Sequence, residues 1–298
     1  MLQKTPVTST PSFLSKRPLY SSASVENSSF LSELKANLGI KETEDCLQLL
    51  KTINHDWEPL DYIMPPPRFR RLAELFSLDT RALLLQINQI MAEFSEKFIQ
   101  PLSITLPKES EKRHYCWLMR VLSEIRSPGY AESSLDTLAK DRAIISGQML
   151  YLGSRVAKLA RPFPRKHLLK LARSHPQLII KSIKNRFRLH GLELHSEARS
   201  VDLFTEVDFK KMLNVLQQII RDNKKVDLAF GAAWFYAPEM AKVSPHLMYM
   251  REEVFKRGGT VFHCGSGGTE DALYNSRTRR RAYLAGDYVP ERYGLVIT

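Results

Sequence analysis

The chain has 298 residues, 43% apolar and 26% charged, with 44 Lys and Arg against 32 Asp and Glu, for a net charge of +12. That composition can bury a core, which excludes a chain disordered throughout. Three widely spaced cysteines with no CxxC pair exclude a disulfide framework and a zinc knuckle, and no apolar run is long enough to cross a bilayer as a helix.

Residues 1–27 read as a leader, because the first 25 residues contain no acid and are rich in Ser, Thr and Pro. Such a stretch suits a transit peptide, a bacterial secretion leader or a plain disordered terminus. Residues 28–190 read as helix after helix. Leu31, Leu34 and Leu38 share one helical face, and Leu47, Leu50 and Ile53 share the next. Three consecutive prolines, Pro65 to Pro67, break the pattern, and Asp79 restarts it as an N-cap. "ESEKRHYCWLMRVLSEIRSPG" is a further helix closed by Pro128 and Gly129. "LAELFSLDTRALLLQI" resembles part of a helix-turn-helix, which implies a second helix free to enter a DNA groove.

From Arg142 to Leu192 there is no Asp or Glu, and twelve Lys and Arg residues fall in that span. Prolines at 162, 164 and 176 divide it into three amphipathic helical pieces. Ile179, Ile180, Ile183 and Phe187 form the apolar stripe of the last one. The cations left on the opposite faces predict one polyanion-binding surface. Its residues are Arg155, Lys158, Arg161, Arg165, Lys166, Lys170, Arg173, Lys181, Lys184 and Arg188.

Residues 191–298 alternate. "FTEVDFKKMLNVLQQIIRDN" is an amphipathic helix with Phe209, Leu213, Leu216 and Ile220 on its buried stripe. "VDLAFGAAWF" is a buried strand. "SPHLMYMREEVFKRGG" is a helix with Ser244 as N-cap, "TVFHC" a strand, "TEDALYNSRTRRRAYLAG" one helix and "ERYGLVIT" the closing strand. The fold class expected is α+β: a helical N-terminal domain, then a C-terminal α/β domain with a small sheet.

"CGSGGT" at 264–269 invites three readings. It nearly matches G-x-S-x-G, but the 32 residues after Ser266 contain no His to complete a triad. As an anion loop it would meet Glu270 and Asp271 in the first turn of the next helix, and these repel phosphate. As a tight turn it needs only its glycines. The loop is also similar to the PGGxGT loop of the lysine-decarboxylase-like cytokinin-activating family at Gly265, Gly268 and Thr269, although Ala272 stands where that family places a glutamate.

"EVFKRGGTVFHC…AYLAGDYVPERYGLVI" resembles the end of a GNAT-type acyltransferase at Tyr283, Gly286 and Tyr288. The resemblance implies helix, strand, helix and closing strand in order, and an acyl-transfer activity. The R-x-x-G-x-G/A loop by which that family holds coenzyme A is absent, "PEMAKVSPHL" standing in its expected place.

Ligands of open α/β sheets bind at the carboxyl ends of strands. The catalytic candidates are therefore Glu239, His246, His263, Ser266 and Glu270, with Trp234 and Tyr236 beside them. None of the eight histidines forms HxH or HxxxH, and His190 and His195, five apart across Gly191, make a poor metal pair, so no metal site and no cofactor is named. The expected function is binding of nucleic acid or another polyanion, with an acidic protein or a peripheral anionic membrane as further partners. The alternative is a transferase working at the C-terminal strand ends. The expected compartment is the cytoplasm, with secretion as an effector or import into an organelle as alternatives.

Overall fold

The computed structural model describes residues 24–56, 65–267, 269–274 and 276–298. The expected leader falls almost wholly outside them.

Among the described residues seven α-helices come first: α1 (Ser24–Leu38), α2 (Thr43–Asp56), α3 (Pro67–Leu75), α4 (Thr80–Glu93), α5 (Ser95–Phe98), α6 (Lys108–Ile125) and α7 (Leu135–Ile145). Leu34, Leu47, Leu50 and Ile53 bury as their spacing predicts, in a core that also takes in Leu83, Leu84, Val121 and Leu122. Asp79 caps α4 as expected, its carboxylate accepting from the Ala82 N–H at 2.7 Å. The helix-turn-helix reading is corrected here. The helix that would enter a groove, α4, buries Leu83, Leu84, Ile87, Asn88, Ile90 and Met91, so it is packed inside the protein.

The rest of the chain is built on one mixed sheet of six strands in the order β1-β2-β3-β4-β6-β5. The strands are β1 (Met149–Tyr151), β2 (Arg155–Pro162), β3 (His190–Ser196), β4 (Leu228–Ala233), β5 (Thr260–Ser266) and β6 (Glu291–Ile297). Only β3 and β4 pair in parallel; β1–β2, β2–β3, β4–β6 and β5–β6 are antiparallel. It follows that β3, β4 and β5 all point their carboxyl ends toward the same edge of the protein.

Where a helix was expected after Leu152, the structure has the β1–β2 hairpin, turning at Gly153 with φ +94°. The reason is burial on both sides. Met149, Tyr151 and Val156 face the helical core, while Leu150, Leu152, Ala157 and Leu159 face the second core. A strand covered on both faces lacks the polar–apolar alternation by which strands are read.

The second core lies under α10 (Glu206–Asp222) and α12 (Tyr249–Lys256), with Phe209, Leu213 and Leu216 pointing inward as expected. The opposite face of the sheet carries α8 (Leu168–Leu171) and α9 (Pro176–Lys184), through Phe163, Leu168, Leu171 and Leu178 on Leu228, Phe230 and Val296. Between β4 and α12 lies the short α11 (Met240–Val243). The single helix expected at 269–286 is two, α13 (Thr269–Tyr274) and α14 (Arg277–Leu284), the latter capped by Ser276. Ser244 stands at the N-cap position of a 3₁₀ turn (Pro245–Leu247) but makes no side-chain capping bond. Its hydroxyl donates to the Val243 carbonyl and accepts from buried Arg279.

Candidate active site

The parallel pair β3–β4 is registered from Gly191 opposite Leu228 to Leu194 opposite Gly231. Beyond that point the strands part. His195 and Ser196 stay paired with Val156 and Arg155 of β2, while Ala232 and Ala233 stay paired with Gly294 and Tyr293 of β6. The split leaves a cavity of about 730 Å³ on the α10–α12 face and one of about 120 Å³ on the other. Leu194, His195, Ala232 and Arg292 line both, so the gap between the strands is their common wall.

Along β3 the side chains alternate. Leu192 and Leu194 join the second core, and Glu193 and His195 face the other way. His195 Nε2 is buried without a hydrogen-bond partner among the described residues, 3.9 Å from Glu193 Oε2. An imidazole at the mouth of a cleft, next to a carboxylate, can take a proton from a bound nucleophile. From β2 comes Arg155, only 1% exposed, with its guanidinium between the rings of Phe204 and Phe235 at 4.2 and 4.8 Å. Lys140 also lines the larger cavity, but it is already bound to Asp136 and to the Ser196 carbonyl. Trp234 and Tyr236 line the same cavity, as their place after β4 predicts, and burial raises the Tyr236 phenol above its usual range.

Of the sequence-derived catalytic candidates, Glu239, His246, His263 and Ser266 stand outside this lining. Glu239 lies in the turn before α11, with Oε2 buried and unpartnered among the described residues and Tyr288 near it. His246 is exposed in a 3₁₀ turn. His263, on edge strand β5, faces Glu291 across the ladder at 3.2 Å and meets the Tyr293 ring at 5.3 Å. Ser266 is exposed at the end of β5, opposite Glu291. The Glu270 side chain and Gly268 are outside the described residues. The glycine stretch is thus partly strand, with β5 running through Cys264, Gly265 and Ser266 over a bulge, rather than a loop between a parallel strand and a helix. Its likeness to the PGGxGT loop goes no further. His195 and Arg155 were missed as a pair. The alternation in "HGLELHS" was the signal for His195; nothing local marks Arg155 as buried.

No protein-family model and no curated protein matches this sequence. Among solved structures, the chain is similar to an acyltransferase in complex with decanoyl-CoA, with TM-score 0.42 and 14% identity over 86% of this chain and 78% of that one. It is also similar to an acyltransferase in complex with CoA and 10C-teicoplanin, with TM-score 0.34 and 10% identity over 89% of this chain and 98% of that one. An acyltransferase in complex with decanoyl-CoA and teicoplanin gives TM-score 0.34 and 11% identity over the same shares, 89% and 98%.

The expected polyanion surface is corrected. The tract itself comes apart in the fold. Arg155 and Lys158 are buried in β2, Lys181 is paired with Asp227 at 2.5 Å, and Lys170 donates to the His263 carbonyl. The Arg161 side chain is outside the described residues. Lys166 and Arg173 are exposed, and Arg165, Lys184 and Arg188 are the members that gather at one shallow hollow, with Arg186. The apolar stripe fails too: Ile180, Ile183 and Phe187 are exposed by 56, 56 and 53%. Asp227, distant in sequence, supplies Lys181 with a counter-charge that the local reading lacked. Among the described residues no helix is long and apolar enough to cross a membrane.

Proposed function

We propose that the chain is an acyltransferase whose site is the cleft between β3 and β4. The observation that carries this reading is the parting of two parallel strands to leave a cavity of about 730 Å³ with an unpartnered imidazole at its wall. A cleft of this size, with apolar walls at Leu194, Val201, Phe204, Phe235 and Leu247 and charged groups between them, suits a small acyl donor and acceptor. The C-terminal segment supports it. Helix α12, strand β5, helix α14 with Tyr283 and Gly286 at its end, Tyr288 and strand β6 follow in the order that the GNAT-type resemblance implies.

In this reading the acceptor amine or hydroxyl attacks the carbonyl of a thioester. His195 takes the acceptor's proton, the carbonyl–sulfur bond breaks, and the leaving thiolate is reprotonated as the thiol. The first turn of α10 carries Glu206 and Asp208 behind the cap Thr205, so the phosphates of a coenzyme A donor stay clear of that helix end. Incubation with octanoyl-CoA and a panel of primary amines, with thiol release followed by colour and products by mass, tests the assignment. Thiol release matched by N-octanoyl product is expected; no release above the uncatalysed rate with any amine, from folded protein, contradicts it.

A further inference from the structure

The Arg155 guanidinium brings a positive charge and five N–H donors into the fold. Arg155 is 1% exposed. Its hydrogen-bond acceptors are the Ser154 carbonyl at 3.0 Å, the Met250 thioether at 3.6 Å and the Tyr236 phenol. None of these carries a negative charge, and among the described residues Arg155 forms no ion pair. Charge pairing is met elsewhere in this protein, although buried Arg279 is likewise held by neutral acceptors, the Ala272 carbonyl and the Ser244 hydroxyl. Arg199 is ringed by Asp141, Glu197 and Glu124, and Lys140 has Asp136.

A buried cation without a counter-ion costs the fold several kcal/mol, on the order of what an ion leaving water loses after relaxation. Stacking on Phe204 and Phe235 offsets part of this, about 0.5–2 kcal/mol per ring. A non-functional core position would be filled more stably by an apolar side chain. The location supplies the reason for keeping the charge. Phe204, Phe235, Tyr236 and Met250, which surround the guanidinium, all line the larger cavity, and Arg155 lines it too. In the ladder Arg155 stands opposite Ser196, next to His195, at the end of β3 where the strands part.

Resting on the acyl-transfer reading above, we infer that Arg155 receives a carboxylate of the acyl acceptor, making the acceptor an amino acid or a similar molecule with its nucleophile near an acid group. One planar guanidinium, offering parallel N–H donors, matches one monoanionic carboxylate in a bidentate pair. Of the other cations on the lining, Lys140 is committed to Asp136 and Arg292 donates to the Ala232 carbonyl at 3.4 Å. The same anchor sets the acceptor's nucleophile toward His195, the neighbour of Ser196 on β3.

The probe is N-octanoyl-phenylalanine, whose tail and ring match the apolar walls, against its uncharged primary amide, both titrated calorimetrically into the full-length protein. The acid is expected to bind about 10- to 100-fold tighter than the amide, the range of one charge-assisted pair. Arg155→Met, which keeps the stacking length and removes the charge, is expected to abolish that preference while melting no lower than wild type. Arg155→Lys, which keeps the charge and loses the fork, is expected to keep a reduced preference. Equal binding of acid and amide by wild type, absence of binding by both, or a preference that survives in Arg155→Met overturns the inference. A preference for the acid in a protein that turns over no thioester supports the carboxylate site and removes the acyl-transfer reading alone.

Discussion

Arg199 Nη2 lies 2.6 Å from Asp141 Oδ1, which ties the turn after β3 to helix α7. The same guanidinium reaches Glu197 and Glu124, each at 3.0 Å, and the Tyr130 hydroxyl donates to the other Asp141 oxygen at 3.0 Å. Asn88 of α4 donates to that hydroxyl at 2.9 Å. The turn held this way contributes Ala198, Val201 and Phe204 to the cavity wall, so the helical part of the chain positions one side of the cleft.

Removing Arg199 leaves two carboxylates buried and uncompensated. Arg199→Ala is expected to lower stability by about 3–5 kcal/mol, the range for breaking a buried pair on one side. Adding Asp141→Asn to that variant should restore part of the loss. Urea unfolding of the two variants checks both statements, and a loss under about 1 kcal/mol for the single variant would mean that the network is dispensable.

The proposed base gives a kinetic expectation. His195→Gln removes the proton acceptor and keeps a side chain of similar bulk. It is expected to lower kcat about 100- to 10,000-fold, with the donor KM changed little. Steady-state kinetics with a saturating acceptor measures this; an unchanged kcat assigns the proton transfer to another group.

His114 offers a pH test independent of catalysis. Burial pushes its imidazole down to about 4, and its Nδ1 accepts from the Tyr151 N–H at 3.2 Å. Above pH ~6.5 both folded and unfolded forms are neutral and the group has no effect. Below that the unfolded chain binds a proton that the fold refuses, so stability falls as pH drops from about 6.5 to about 4, by about 3 kcal/mol in all. Asp141 bears on acid stability too, its carboxyl being raised by burial and lowered by Arg199. The measurement is therefore a difference: His114→Asn, which keeps an acceptor, should lose stability less steeply than wild type across that window. Parallel curves for the two proteins would count against a neutral, buried His114.

Gly191 permits the close approach of β3 to β4. A Cβ there would lie 2.6 Å from the Leu228 carbonyl oxygen and 2.8 Å from its side chain. Gly191→Ala is expected to push the parallel pair apart at its closed end and cost about 1–3 kcal/mol, as overpacking does. Thermal unfolding within 1 °C of wild type would contradict this.

Helices with one covered face were legible in the residues. The Asp79 cap and the Phe209, Leu213 and Leu216 stripe of α10 needed only local chemistry and a 3.6-residue period. The sheet was half legible. Strands β4, β5 and β6 sit between turn signals, but β2 is apolar on both faces and carries Arg155 and Lys158 inward, so its sequence resembles a basic amphipathic helix. That misreading placed buried Arg155 and Lys158 in water, whereas the expected polyanion surface as a whole came from the acid-free span 142–192. Trp234 and Tyr236 line the larger cavity because they follow a strand that ends where the sheet opens. His195 was considered only as a metal partner of His190, although its role depends on the alternation with Leu194 and on a gap that pairing geometry alone creates.

The central claim is that ligands enter between β3 and β4. Hydrogen–deuterium exchange of the full-length protein with and without octanoyl-CoA tests it most directly. The account predicts slowed exchange at 193–196 and 231–236, with little change in α8 and α9. Slowing confined to the segment 165–190, or none at saturating ligand, would contradict it.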